Sequence, residues 1–291
     1  MRQPFKTIGR YRSIIGEFKC LINNIIAKTE SNVVLYFGSD KNVYVQIMAR
    51  CLKEQKHLDC LIAVDQGNSN YEKPDHWRLF KQIGYWTFSR LFLGITYDYI
   101  DVIGSWRSVQ KVWVRWPDLL QFRRPNVEYL KIELAKSSLL VKHKPTVPQV
   151  LILSAPLAED RILPEHEEMT VFYRLIKDIL SQGFHVAVKP HPRDNEKKFS
   201  DLHDNLDFTL LERETLAEEL NYWDYDLIVN FGSSTIMDML DVGFPPDRIL
   251  TIDLIKISNR VPIYKKTKIC YGMDEVLQIM RKDNWITKDA D

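Results

Sequence analysis

One loop in the second half of the chain carries residue types that can bind and protonate an anion. The apolar run 186–188 ends in Lys189, and Pro190-His191-Pro192-Arg193 follows directly. An imidazole can stabilise a phosphate and donate a proton near neutral pH, and a guanidinium can add paired hydrogen bonds. The alternative is a charged surface turn. We interpret Lys189, His191, Pro192 and Arg193 as candidate residues of an anion site.

A second candidate anion loop lies about 40 residues later in the sequence. The apolar run 227–229 leads through Asn230 and Phe231 into Gly232, Ser233 and Ser234. A predicted helix begins there, and free N–H groups, the helix dipole and hydroxyls attract phosphate at such a position. A glycine also lets the backbone approach a ligand closely. An ordinary serine helix cap is the alternative interpretation.

The elements around these loops alternate between strand and helix. The sequence predicts strands at 150–153, 185–189, 227–230 and 249–252, and helices at 165–181, 216–220 and 234–240. This alternation indicates a parallel sheet. The run 141–148 is polar, contains two prolines and predicts a linker. We therefore predict an α/β protein with domains at 1–142 and 149–291, two facing Rossmann-like domains with a ligand cleft between them.

In the first half, strands are predicted at 33–37, 60–64, 99–103 and 112–114, and helices at 11–28 and 43–53. Two of these strands end in small or polar residues, where ligands of open α/β sheets gather. We include Gly38, Ser39, Asp65 and Gly67 as candidates for that reason. The segment Trp77 to Ile95 mixes aromatic and basic residues. We expect a buried helix there, with a membrane or partner surface as the alternative.

Composition narrows the class of protein. The 291 residues are 45% hydrophobic and carry a formal charge of +1, so a general basic surface for nucleic acid is not expected. The four cysteines form no C-x-x-C pair and no apolar leader opens the chain, which favours the cytoplasm. No apolar run approaches the roughly 20 residues of a membrane span. Asp224 and Asp226 have a D-x-D spacing, but Asp226 enters an apolar strand, so no metal site is expected.

The second half resembles a known family. The stretch 150–160, the helix to Gly183, the run 188–194 and Phe231-Gly232-Ser233-Ser234 are similar to the second domain of bacterial sialyltransferases and polysialyltransferases. This resemblance implies the GT-B fold, a CMP-sialic acid donor and no metal or other cofactor. Ser154 lies within the matching stretch and is included as a candidate substrate-binding residue.

The resemblance also implies roles for individual residues. His191 would stabilise and protonate the departing CMP phosphate, while Ser233 and Ser234 would bind that phosphate. The family's first-domain motif of two acids and a glycine is matched by Asp65 and Gly67, with Gln66 in place of the second acid. Asp65 would be the general base for the acceptor hydroxyl, facing His191 across the cleft. An acid between the two phosphate loops usually binds ribose, and we favour Glu218 over Glu219.

These features predict an inverting transfer of sialic acid from CMP-sialic acid to a hydroxyl of a cell-surface glycan such as lipooligosaccharide or capsule. The expected partners are a CMP-activated donor and a glycan or glycolipid acceptor, with a peripheral contact at the inner membrane surface and no nucleic acid. Alternatives are another CMP-activated donor, such as Kdo, a polyol phosphate, or nucleotide-sugar binding without turnover, which Gln66 would favour. The acceptor, linkage, number of residues added and oligomeric state do not follow from the sequence.

Overall fold

The chain forms two compact units, Met1–Glu133 and Leu134–Asp291, in a computed structural model. The structure describes residues 4–38, 42–65, 67–74, 76–132, 147–254 and 256–282. Most of the predicted linker, residues 141–146, lies outside these ranges. The domain limits 1–142 and 149–291 therefore stay predictions.

The first unit contains a parallel sheet of four strands in the order β1-β2-β3-β4. The strands are β1 (Val33–Phe37), β2 (Leu58–Val64), β3 (Lys111–Val114) and β4 (Glu128–Lys131). The helices are α1 (Pro4–Ile26), α2 (Val43–Glu54) and α3 (Arg78–Phe88). Each strand lies beside its neighbour in sequence, as in one half of a doubly wound sheet.

Apolar periodicity explains how α1 and α2 cover this unit. Ile15, Ile22 and Ile26 recur at helical spacing on α1 and share one buried cluster with Ile47 and Leu52 of α2. The Asn42 side chain begins α2 by accepting a hydrogen bond from the Tyr44 N–H at 2.9 Å. The two helices thus bury one stripe each.

The second unit has six parallel strands in the order β10-β9-β8-β5-β6-β7. The strands are β5 (Gln149–Leu153), β6 (His185–Lys189), β7 (Thr209–Leu210), β8 (Leu227–Asn230), β9 (Ile249–Ile252) and β10 (Lys268–Cys270). The helices are α4 (Glu165–Ser181), α5 (Glu196–His203), α6 (Thr235–Asp241), α7 (Ile257–Arg260) and α8 (Met273–Lys282).

This strand order is that of the Rossmann fold. The chain starts in the middle at β5, winds outward to β7, then returns to β8 on the other side and winds outward to β10. The winding direction reverses between β5 and β8, and ligands of such sheets bind outside the carboxyl ends of the strands at this point. The residues of β5 and β8 that face the helices are completely buried, including Val150, Ile152 and Val229.

The fold class is confirmed, and most predicted elements agree with the structure within two residues. Three expectations are wrong. Tyr99 to Ile103 is irregular, because its backbone does not pair with a strand. The predicted helix 216–220 is a 3-10 turn, Ala217–Glu219, followed by extended Leu220. The segment 77–95 is helical, but none of the α3 residues is buried.

None of the helices in the described ranges has both the length and the apolar composition that crossing a bilayer requires.

Candidate functional site

The candidate site begins at the carboxyl ends of three neighbouring strands, β6, β5 and β8, which end at the same level of the sheet. Leu153 at the end of β5 pairs with Lys189 of β6 on one side and with Asn230 of β8 on the other. The loops that carry His191 and Gly232 therefore start two strand spacings apart, about 10 Å. Register thus brings together two loops that are distant in sequence.

A buried hydrogen-bond network shapes the His191 loop. The His191 backbone N–H lies 2.7 Å from Ser154 Oγ and 2.8 Å from Asp194 Oδ2. Ser154 Oγ in turn donates to the same Asp194 oxygen. Both side chains are at most 3% exposed. Ser154 therefore positions the loop, and its predicted contact with substrate stays a prediction.

Lys198 on α5 stabilises this network through ion pairs with three carboxylates. Its Nζ lies 2.8 Å from Asp194 Oδ1, 2.9 Å from Glu159 Oε2 and 2.9 Å from Glu168 Oε2. The hydrogen bonds with these carboxylates outweigh burial, which alone would lower the pKa of Lys198, and the net effect raises it well above its usual value. The ammonium occupies the place that a cation would take among the three acids. This arrangement fixes Asp194 and, through it, His191.

The His191 ring offers one nitrogen to a ligand. Nδ1 accepts a hydrogen bond from the Arg193 N–H at 3.1 Å, which assigns the proton of the neutral ring to Nε2. Within the described ranges no protein group is hydrogen-bonded to Nε2. Burial, and next the charge of Arg193, lower the pKa of His191. The ring is therefore a neutral donor at pH 7 that an anion would make more basic.

The two cations of this loop have protein partners. Lys189 is 3% exposed, and its Nζ donates to the carbonyls of Pro190 at 2.8 Å and Arg213 at 3.0 Å. Arg193 forms a paired contact with Asp160 at 2.5 and 2.9 Å on the exposed surface. Lys189 therefore stabilises the loop by bonding its backbone carbonyls. Binding of substrate by Lys189, by Arg193 or by the exposed Pro192 stays a prediction.

The loop after β8 is built around a glycine in the left-handed region. Gly232 has φ +96°, and its N–H donates to Asn230 Oδ1 at 2.9 Å. The hydroxyl of buried Tyr264 lies 2.7 Å from the Gly232 carbonyl and 3.1 Å from that of Ser233. These contacts turn the loop sharply at the end of the strand. A β-carbon at Gly232 would lie 3.1 Å from Ile257 Cδ1.

The two serines of this loop differ. Ser233 Oγ donates to Thr235 Oγ1 at 3.1 Å and accepts from the Thr235 N–H at 3.4 Å, as a helix cap does. Ser234 is exposed, and its side chain makes no capping bond to α6. The capping alternative therefore applies to Ser233, whereas the exposed Ser234 hydroxyl has no hydrogen bond to α6.

Glu218 lies beside this loop. Its Oε1 is 3.3 Å from Thr235 Oγ1 at the first residue of α6, and its charge also acts on Lys189. The exposed carboxylate therefore lies beside the first residue of α6, within electrostatic range of Lys189. The favoured choice of Glu218 over Glu219 agrees with this location, and ribose binding stays a prediction.

Asp65 lies at the carboxyl end of β2 in the first unit and is fully engaged. Oδ1 accepts from the Gly67 N–H at 2.8 Å and from Asn70 Nδ2 at 2.9 Å. Oδ2 accepts from the Tyr71 hydroxyl and from the Arg115 backbone N–H and Nε at 3.2 and 3.4 Å. The Asp65 side chain is 1% exposed. Because a carboxylate has about four acceptor positions, these donors saturate it.

Tyr71 remains a donor in this network. Burial, followed by the charge of Asp65, raises the pKa of Tyr71. The contacts of Asp65 are those of an anchor that fixes its own loop and Arg115, and its role as general base stays a prediction. Gly67 belongs to the same turn, and Gly38 ends β1. Ser39 and Gln66 lie outside the described residues.

The D-x-D pair is located away from this site. Asp226 precedes β8, at the amino end of the strand, where its carboxylate accepts from the Gln149 N–H at 3.0 Å and contacts Arg248 at 3.6 Å. Asp224 accepts from Asn221 Nδ2 at 2.9 Å. The candidate anion loops follow the carboxyl ends of the strands, so these two acids do not join them.

The sequence patterns do not identify Asp194, Lys198, Asn230 and Tyr264 as residues of the site. Asp194 and Lys198 have the i,i+4 spacing of an acid and a lysine, but Asp194 precedes α5 and no helix is predicted there. Tyr264 reaches the loop from 31 residues away in the sequence, and no local pattern indicates this contact.

A protein-family model described as alpha-2,8-polysialyltransferase matches residues 118–242. The matched segment contains His191, Glu218, Ser233 and Ser234 and does not extend to Asp65. No curated protein sequence matches the chain.

Several solved glycosyltransferase structures resemble the whole chain. The α/β-galactoside α-2,3-sialyltransferase of Photobacterium phosphoreum has a TM-score of 0.51 and 13% identity, covering 90% of this chain and 84% of its own. The glycotransferase of kitacinnamycin has a TM-score of 0.54 and 9% identity, covering 97% and 74%. OtsA has a TM-score of 0.54 and 9% identity, covering 96% and 70%. These likenesses show the fold. The fold they show is GT-B, and the family-model match makes residues 118–242, less than half of the chain, similar to polysialyltransferases.

Proposed function

We propose that this protein transfers sialic acid, with inversion, from CMP-sialic acid to a hydroxyl of a cell-surface glycan. The observation that carries the proposal is that the loops of His191 and Ser234 follow the carboxyl ends of β6 and β8, which both pair with β5 at Leu153. His191 Nε2 and the Ser234 hydroxyl can donate hydrogen bonds, and neither has a protein partner within the described part of the chain. The polysialyltransferase match over the same loops supports a sialic acid donor.

In the proposed reaction the CMP phosphate lies between the two loops. Ser234 and the backbone N–H groups near Gly232 bind its oxygens, and Glu218 binds the ribose hydroxyls. The Nε2–H of His191 donates a hydrogen bond to the phosphate as the glycosidic bond breaks and keeps its proton. Charge on the departing phosphate grows in the transition state, so these donors stabilise the transition state more than the bound donor substrate.

We propose that the reaction needs no metal, because hydrogen bonds from His191, the hydroxyls and the backbone N–H groups would stabilise the phosphate charge. The Lys198 ammonium already bridges the three clustered acids of the second unit, which supports this proposal. Asp65 is the proposed base for the acceptor hydroxyl, and it would have to exchange one of its donors for that hydroxyl.

One observation favours a second candidate function, the binding of a nucleotide sugar without turnover. Asp65 is saturated by donors of its own unit and has a 1% exposed side chain, so the acceptor hydroxyl would lack a base. In this case the second unit would still bind CMP and its sugar conjugate.

The experiment that separates these functions measures CMP release from CMP-sialic acid with and without a glycan acceptor, in EDTA. We expect release that depends on the acceptor, and a thermal midpoint that rises with CMP and not with CDP, UDP or GDP. CMP binding without release would favour the binding protein. Loss of activity in EDTA would contradict metal independence, and stabilisation by UDP alone would contradict the donor.

We further propose that the protein works in the cytoplasm in contact with the inner membrane. The four cysteines are free thiols, which supports a reducing compartment.

A further inference from the structure

The helix α3 and the turn after it, Ser89–Leu93, present an apolar surface to solvent. We call this surface the aromatic face and define it by five side chains that are 64–76% exposed, Trp77, Leu79, Phe80, Ile83 and Leu91. Large apolar groups are usually buried, and a continuous exposed patch marks an interaction site. The face is independent of the residues proposed for catalysis.

The polar side of α3 points into the protein. Gln82 Nε2 donates to Asp98 Oδ1 at 3.3 Å, and Arg78 Nε lies 3.5 Å from Asp101 Oδ1. At the following turn, Ser89 Oγ donates to the Trp86 carbonyl at 3.1 Å. The helix is therefore amphipathic, but its polar side faces the protein and its apolar side faces solvent, the reverse of the usual arrangement.

The charged residues within 76–95 are all basic, whereas Asp98 and Asp101 contact the inward side of α3. Residues 76–95 contain Arg78, Lys81 and Arg90 and no aspartate or glutamate. The Arg90 guanidinium lies 5.2 Å from the centre of the Trp86 ring, so aromatic and cationic groups are interleaved. Such a surface, apolar and aromatic with flanking cations, is typical of elements that lie in the interface of a membrane.

Helix α1 extends this surface. Arg12 Nη2 donates to the Leu91 carbonyl at 3.0 Å, which joins α1 to the turn after α3. Tyr11 of α1 is 54% exposed, and residues 8–26 contain Arg10, Arg12 and Lys19 against the single acid Glu17. The positive charge thus continues across two elements.

Resting on the proposed contact with the inner membrane, we propose that the aromatic face binds the surface of a lipid bilayer that contains anionic lipid. The apolar side chains would insert among the acyl chains, and Lys81 and Arg90 would contact the phosphate groups of the lipids. A second copy of the same face is the less favourable occupant, because it would bring the cations of two copies together with no acid in residues 76–95 to offset them.

The test is flotation of the full chain with two kinds of vesicle, phosphatidylcholine alone and phosphatidylcholine mixed with phosphatidylglycerol. We expect binding to the mixed vesicles that weakens with added salt. The triple variant Leu79→Ser, Phe80→Ser, Ile83→Ser should reduce partitioning by roughly tenfold or more. The double variant Lys81→Glu, Arg90→Glu should remove the preference for anionic vesicles.

Matched controls change residues of the same kinds elsewhere. Ile162→Ser, Tyr173→Ser, Tyr271→Ser removes three exposed apolar groups from the second unit, and Lys28→Glu, Lys53→Glu removes two exposed cations from the first. Both should bind vesicles as the parent chain does, and all variants should keep the parent's thermal midpoint. Absence of vesicle binding, or equal binding by the Leu79 triple variant, overturns the proposal. A dimer by light scattering that this variant dissociates, without vesicle binding, assigns the face to a second copy and also overturns it.

Discussion

At the scale of single residues, the protonation of His191 decides how its loop meets an anion. Burial and the neighbouring Arg193 lower its pKa, and Nδ1 is occupied by the Arg193 N–H. The free protein therefore presents a neutral ring with its proton on Nε2. A phosphate at Nε2 would favour the charged ring and raise this pKa, and the second proton on Nδ1 would replace the hydrogen bond from the Arg193 N–H.

The first prediction concerns pH. Binding should take up a proton wherever the pH lies between the low pKa of the free protein and the higher pKa of the complex, so CMP affinity should rise as pH falls from about 8 to 6. The measurement is titration calorimetry of the parent chain and of His191→Gln. CMP itself titrates in this range, and the variant corrects for it. If CMP affinity changed equally with pH in both proteins, the result would contradict proton uptake by His191.

The second prediction separates the two serines. Ser234→Ala should leave the free energy of unfolding within about 0.5 kcal/mol and weaken CMP binding by roughly tenfold, because the hydroxyl has no capping bond. Ser233→Ala should cost about 1 kcal/mol of stability, because this side chain caps α6. Urea unfolding and calorimetry test both variants. Loss of stability in Ser234→Ala with unchanged affinity would reverse the assignment.

At the scale of elements, the turn after β8 depends on backbone freedom. Gly232 has φ +96°; its N–H donates to the Asn230 side chain, and its carbonyl accepts from the Tyr264 hydroxyl. The turn places Ser233 and Ser234 at the edge of the sheet. Any residue with a β-carbon is strained there. The strand and the helix α6 therefore meet at a point that only glycine occupies without cost.

The third prediction compares two glycines. Gly232→Ala adds backbone strain and a contact with Ile257, whereas Gly243→Ala, at φ +87°, has no atom within 4 Å of the new β-carbon. Backbone strain should lower the unfolding free energy of both variants by about 1 kcal/mol. The contact with Ile257 should lower that of Gly232→Ala further. CMP affinity should fall only in Gly232→Ala. Equal effects of the two variants on CMP affinity, measured by calorimetry, would show that the turn does not bind the nucleotide.

At the scale of the whole molecule, the two proposed catalytic groups belong to different compact units. His191 lies in the second unit and Asp65 in the first. Each is fixed by partners of its own unit, through Ser154 and Asp194 in one case and through Tyr71 and Arg115 in the other. Donor binding and acceptor activation should therefore be separable by mutation.

The fourth prediction tests this separation. Asp65→Asn should lower transfer from CMP-sialic acid by roughly a hundredfold or more, with CMP affinity changed less than about twofold. Tyr71→Phe is the matched control, because it removes a hydrogen bond to the same carboxylate and keeps the carboxylate. Initial rates and calorimetry measure both effects, with thermal unfolding to report the fold. Equal losses of transfer in the two variants would show that Asp65 acts as an anchor.

The sequence by itself determined the class of fold and located the strands that carry the two candidate anion loops. Strands of the second unit such as His185–Lys189 and Leu227–Asn230 are short apolar runs ended by polar or glycine residues, so local patterns suffice to find them. The loops that follow carry their chemistry in adjacent residues, and their types indicate phosphate directly. Local pattern failed at α3, because its apolar stripe predicts burial and does not say what the stripe faces.

Only the tertiary structure decided how these residues are used. Strand register aligned Lys189, Leu153 and Asn230 and so brought the His191 and Gly232 loops to one edge of the sheet. The same packing turned Lys189 inward onto carbonyls, saturated Asp65, and distinguished a capping Ser233 from an exposed Ser234. Residue type specifies which bonds a side chain can form. The partners that occupy those bonds come from distant parts of the chain, and they are fixed only when the sheet assembles.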